Sequence, residues 1–194
     1  FFLINSFVIA QNCLPGVTVI ETQEMMDNFP VMSSNCKIIE GSLNIGQLTG
    51  GSSTVTNLNG LRFIERIKGD LIIRSNYYLT DLSGLNNLIE VEGDVYINGN
   101  NTLTSLANFE KLVRVKGDLR ITDNIALVEI SGFNQLASIE GELYSFGMYN
   151  LLSINGFKNL KVLGSLTLSY LQRLENFPVF PNVQYNDSSS IEIN

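Results

Sequence analysis

The stretch that decides the fold runs Gly69-Asp70-Leu71-Ile72-Ile73-Arg74-Ser75-Asn76-Tyr77-Tyr78-Leu79-Thr80-Asp81-Leu82-Ser83-Gly84-Leu85-Asn86-Asn87-Leu88-Ile89-Glu90-Val91-Glu92. Its glycine returns at Gly93, Gly117 and Gly141, each 24 residues on (93 − 69, 117 − 93, 141 − 117), and a shortened copy begins at Gly164. A fixed period in the twenties is the mark of a solenoid, whose repeats each bury an apolar side against their neighbours. Counted from the glycine as zero, the apolar positions are +2, +4, +10, +13, +16, +19 and +22, here Leu71, Ile73, Leu79, Leu82, Leu85, Leu88 and Val91. Alternation at +2 and +4 predicts a short strand. The steps of three predict corners and short extended pieces, and no helix fits them.

Four polar columns fit the same register. Asn76, Asn100 and Asn124 recur at +7, where an inward Asn can hydrogen-bond the backbone of adjoining rungs as a structural ladder. Charges before the glycine alternate in sign from repeat to repeat: Arg66, Glu90 and Arg114 in one column, Lys68, Glu92, Lys116 and Glu140 in the other. In stacked strands about 4.8 Å apart each would lie between opposite charges. Asp70, Asp94, Asp118 and Glu142 follow the glycine; one carboxylate per repeat is too few for Ca²⁺, and turn bonds to nearby backbone are the expected role. Gly60, Gly84, Gly132 and Gly156 at +15 mark a corner that needs a positive φ or close backbone approach.

The ends are less regular. Residues 1–10, mostly apolar and closing on Val8-Ile9-Ala10, read as the end of a signal peptide cut before Gln11, with a buried N-terminal strand as the alternative. Residues 11–40 read as an N-terminal cap, with a strand at 17–20 and a short helix from Glu21 to Asn28 that Pro30 ends. Counting back five from Gly41 places Cys36 in an inward column, and a bridge to Cys13 would stabilise by about 3 kcal/mol; two buried free thiols are the alternative. The solenoid itself spans 41–194. Its first rung is 28 long (69 − 41), the excess reading as a loop over 46–54. From Gly141 the pattern decays, with Ser145 at +4 and Met148 at the Asn position, while Ile191-Glu192-Ile193 restarts a strand and predicts a chain that continues.

Composition narrows the function. Net charge is −7 and charged residues are 16 %, which argues against nucleic acid as partner. With no histidine, His triads and His metal sites are unavailable. The apolar start is too short to span a bilayer, and neither a cofactor nor a metal is implied.

The recurrent Gly-Asp-Leu-x-Ile-x-x-Asn-x-x-Leu-x-x-Leu-x-Gly-Leu-x-x-Leu-x-x-Val resembles the receptor L-domain repeat, and Cys13-Leu14-Pro15-Gly16-Val17-Thr18 with Asn35-Cys36-Lys37-Ile38-Ile39-Glu40-Gly41 is similar to the opening of such domains. The regular 24-residue rungs look like the bacterial versions. The resemblance implies a mainly β, right-handed parallel β-helix-like or leucine-rich-repeat-like solenoid of about six rungs, closed by a disulfide-stapled cap with a short helix. It implies a secreted or cell-surface module, and the family includes receptors, adhesion proteins and cell-wall proteins.

Function should then lie on the outward strand positions that vary. At +3 these are Asn44, Ile72, Tyr96, Arg120, Tyr144 and Thr167, joined by Arg74 and Phe146 at +5. Exposed rings with an Arg suit a protein- or glycan-binding face, although Tyr also simply fits an exposed strand. Ile72, Arg74, Tyr96, Arg120, Tyr144 and Phe146 are therefore the candidate face of a non-catalytic extracellular recognition or adhesion module. A structural spacer without a ligand is the second reading. A polysaccharide-active enzyme is the third, and no carboxylate pair outside the repeat positions supports it.

Overall fold

The computed structural model describes residues 11–14, 16–32, 36–47, 51–178, 180–183 and 191–193; the signal-peptide segment and residues 48–50 lie outside them. Each repeat's +2/+4 alternation forms a strand: Ser42–Ile45, Leu71–Arg74, Val95–Asn98 and Leu119–Thr122, continued by the second half of Ser138–Phe146 and by Val162–Ser169. All pair parallel with the equivalent residues of the next repeat, as in Leu71↔Val95 and Leu119↔Leu143. Val17–Ile20 lies against Ser42–Ile45, and Ile191–Ile193 against Val162–Ser169. A second parallel ladder precedes the glycine: Gln11–Cys13, Cys36–Ile39, Arg66–Ile67, Glu90–Val91, Arg114–Val115 and the start of Ser138–Phe146, the long strand that joins both ladders into one 13-stranded sheet.

The predicted inward residues from Leu71 to Ile139 are all at most 1 % exposed. At a residue volume of Leu or Ile, each such burial contributes about 1.5–3 kcal/mol before chain entropy is subtracted. The steps of three are met by three-residue 3-10 turns, Asn59–Leu61, Ser83–Leu85 and Ala107–Phe109. Three residues per turn align i and i+3, so Leu82, Leu85 and Leu88 all face the core where extended pieces were expected. From the third turn onward phenylalanines fill this column: Phe109–Phe133 and Phe133–Phe157 stack at 5.1 and 5.2 Å between ring centres.

The glycine at zero is required by close approach. A Cβ on Gly117 would stand 2.0 Å from Asp94 Oδ1, and on Gly93 2.1 Å from Asp70 Oδ1. Those carboxylates occupy the space because Asp70, Asp94 and Asp118 each accept the backbone N–H of the residue 24 places on, Asp94, Asp118 and Glu142, at 2.8–2.9 Å. The Asp column therefore joins repeats, where a turn bond inside each was expected.

Cys13 and Cys36 form a disulfide, Cα to Cα 5.9 Å. The helix spans Gln23–Met32, started by Thr22 Oγ1 accepting the Met25 N–H at 3.2 Å, so it begins and ends later than sequence indicated. Pro30 lies inside its last turn; the N–H that proline lacks would have bonded the Met26 carbonyl, which instead abuts Gly60, close enough that a Cβ there would meet it at 2.1 Å. The 46–54 excess does not simply loop out: Ser53 is fully buried and its Oγ donates to the Glu21 carbonyl at 3.0 Å.

Candidate functional site

Strand register sets the candidate residues side by side. Ile72, Tyr96, Arg120 and Tyr144 are successive partners across four parallel strands and continue into Thr167. Arg74 and Phe146 belong to the neighbouring row, separated there by Asn98 and Thr122. Five of the six thus fall into one connected set, and Arg74 lies at its far end, with its Nε buried and lacking a hydrogen-bond partner among the described residues. Asn44, expected outward in the same row, is 3 % exposed, so the face begins at Ile72.

Arg120 is the centre of this face. Its guanidinium lies 5.3 Å from the Tyr144 ring centre and pairs with Asp118 at 2.8 Å and with Glu142 at 3.3 Å. Burial alone would push the Asp118 carboxyl up, but hydrogen bonds from the Glu142 N–H and from Arg120 outweigh it and hold that carboxyl below its ordinary value. The bond to Asp118 in turn raises Arg120. The cation is thereby fixed in a planar, donor-rich pose against an aromatic ring.

Tyr170 was not foreseen. It is 57 % exposed, its ring 5.1 Å from Phe146, which itself lies 6.2 Å from Tyr144. Its backbone explains the position: Ser75, Asp123 and Tyr170 have φ near +54°, and Gly99 and Gly147 +65° and +68°. All five stand six places after a repeat glycine, a column of left-handed residues of which only two are glycine. The left-handed turn costs a non-glycine residue about 1–2 kcal/mol. Asp123 also accepts from Asn98 Nδ2, which bonds Thr122 Oγ1 as well.

Behind the face Asn76, Asn100 and Asn124 are fully buried. Asn124 Oδ1 accepts the Asn100 N–H at 3.0 Å and Asn100 Oδ1 the Asn76 N–H at 3.2 Å, while their Nδ2 atoms donate to the Ile97 and Ile73 carbonyls. The charge columns pair across repeats at Arg66–Glu90, Arg114–Glu90, Lys68–Glu40 and Lys116–Glu92. Glu140 departs from its column and pairs with Arg114 rather than Lys116. Among the described residues no cluster of three or more metal-ligating side chains occurs, and no helix is long and apolar enough to cross a membrane.

The repeats on this sheet match a known module. Residues 35–108 fit the family model of the receptor L domain. Over that stretch the chain is similar to receptor L domains. Receptor L domains are non-catalytic ligand-binding modules, so a recognition role is compatible with what this sheet displays. The matched region holds Ile72, Arg74 and Tyr96, while Arg120, Tyr144 and Phe146 follow it. No curated protein matches the chain.

Proposed function

We propose that this chain is an extracellular, non-catalytic recognition module that binds a protein or glycan through the strand face centred on Tyr96, Arg120 and Tyr144. In this reading the chain is a right-handed solenoid of about six rungs on residues 41–194, with residues 11–40 as its cap and 1–10 as the end of an export signal. The observation that carries the proposal is the +3 row. Its members change from aliphatic to Tyr to Arg to Tyr while the inward positions on either side stay aliphatic from Leu71 to Leu143, Ser145 alone departing. A row that only supported stacking would have no cause to vary in this way. Rigid two-torsion aromatic side chains bury area at low entropic cost, and the held Arg120 adds directional donors. A disulfide between Cys13 and Cys36 fits an oxidising, extracellular setting.

The second reading, a spacer without a ligand, draws on the inter-repeat columns of Asn and Asp. A glycan and surface-protein array separates the two. Wild-type protein should bind a subset of spots, and Tyr96→Ala/Arg120→Ala/Tyr144→Ala should lose them. Equal binding by both proteins would make the face passive and sink the proposal.

A further inference from the structure

We propose a second binding site away from the strand face, a cleft that accepts a neutral sugar residue. The cleft has a volume of about 520 Å³ and is lined by Phe177, Pro178 and Pro181 and by Glu129, Asn155 and Lys158 of the two preceding repeats. That volume lies in the range of sites for small organic ligands, roughly 300–1,000 Å³.

The repeat register explains why it is open. Leu82, Leu106, Ile130 and Ile154 occupy +13 in successive repeats and are 0–3 % exposed. Phe177 stands at the same place in the copy from Gly164 (177 − 164 = 13), yet is 51 % exposed. Phe177 precedes Pro178, which disfavours helical backbone at Phe177 and has no N–H to support a turn after it. The chain on either side is held: the Ile154 N–H donates to the Asn176 carbonyl at 3.3 Å, and Asn182 Nδ2 donates to the Lys158 carbonyl at 2.9 Å. Between these anchors an apolar ring and two proline rings form one wall, with Ile154 and Phe157 beneath.

The two preceding repeats supply the polar groups. Asn155 Nδ2 donates to Glu129 Oε1 at 3.0 Å, which fixes the amide and leaves Asn155 Oδ1 and Glu129 Oε2 as acceptors facing solvent. Lys158 supplies donors and has no ion pair among the described residues. A cleft lined both by apolar rings and by mixed donors and acceptors matches a pyranose, which offers C–H faces and hydroxyls that both give and accept hydrogen bonds. A phosphate or other compact anion would meet the Glu129 carboxylate with a single cation to offset it. A purely apolar ligand would leave the Lys158 ammonium and the free oxygens of Asn155 and Glu129 without a partner on the ligand.

Amide NMR spectra of the whole chain test this with methyl glycosides of glucose, galactose, mannose and N-acetylglucosamine, and with methyl glucuronide and inorganic phosphate as charged comparisons. At least one neutral glycoside should shift the Asn155, Lys158 and Phe177 signals in a saturable way. Asn155→Ala and Phe177→Ala should each weaken that binding roughly threefold to tenfold, with signals elsewhere unmoved because both side chains are exposed. Tyr96→Ala/Arg120→Ala/Tyr144→Ala should bind the glycoside as the wild type does, so this site and the strand face can fail separately. No shift with any neutral glycoside, shifts outside the cleft, or a response to phosphate alone would overturn the proposal. Lys158→Ala provides a second variant should Phe177→Ala disturb the fold.

Discussion

The repeats from Gly69 to Glu140 and the stretch from Gly141 to Val183 share one set of apolar positions but are joined differently. In the first, buried Asn100 and Asn124 and the carboxylates of Asp70, Asp94 and Asp118 bond the backbone of an adjoining repeat. In the second, Met148 takes the Asn position, fully buried, and Phe157 and Phe180 carry the packing at 6.1 Å. A polar column asks for a side-chain acceptor at a set distance, as Ser42, Asp70 and Asp94 each supply to the next repeat. An apolar column asks only for volume. The half-buried rings of Tyr144 and Phe146 and the exposed rings of Tyr170 and Phe177 gather in and beside the region whose interior is less constrained.

Substitutions can break or sharpen that contrast. The largest effect should come from Asn100→Leu, which removes the side-chain bonds to the Asn76 N–H and the Ile73 carbonyl. With about 1–3 kcal/mol per orphaned buried group, urea unfolding should show a loss of roughly 3 kcal/mol or more. Met148→Leu should cost less than about 1.5 kcal/mol, and equal losses would erase the distinction. Next, Gly117→Ala forces its Cβ into Asp94 Oδ1 and should cost about 1–3 kcal/mol. Gly156→Ala, whose nearest contact would be the Phe133 nitrogen at 3.1 Å, should cost less in the same assay.

Smaller effects concern charge. The Asp118 carboxyl is held below its ordinary value, so its contribution is complete above the unfolded value of about 3.9 and is lost as pH falls through the depressed folded value. Asp118→Asn keeps an oxygen for the Glu142 N–H, and its stability should therefore fall less steeply with acid below about pH 4 than the wild type's; parallel profiles would refute the assignment. Least of all, Glu90→Gln, which loses pairs to Arg66 at 3.1 Å and Arg114 at 3.9 Å, should shift the melting free energy by about 0.2–1 kcal/mol per pair at low salt and by less at high salt.

The sequence made the inward columns legible because each recurs with one chemistry at one spacing: Leu85, Phe109 and Phe133 need only be apolar, and Asn76, Asn100 and Asn124 are the same residue. The parallel strands and the Cys13–Cys36 bridge followed from that register. What it hid were features whose chemistry changes along the column. The left-handed turn is filled by Ser75, Gly99, Asp123, Gly147 and Tyr170 in succession, so no residue type announces it, and with it the placement of Tyr170 over Phe146 went unseen. The partner of each Asp lies 24 residues away, beyond the reach of local turn rules. Asn44 looked outward by alternation alone, yet it is buried at the edge nearest the cap.

Native-state hydrogen exchange tests the difference between the two regions most directly. The Asn76 and Asn100 amides, which donate to the side-chain oxygens of Asn100 and Asn124, and the Asp94 and Asp118 amides, which donate to Asp70 and Asp94, should exchange only through global unfolding. Amides such as Asn155, Leu160 and Leu174, in the region without those columns, should open at lower free energy. If the later amides were protected as strongly as the earlier ones, or the Asn76 and Asn100 amides exchanged first, the polar columns would not be what holds the repeats together.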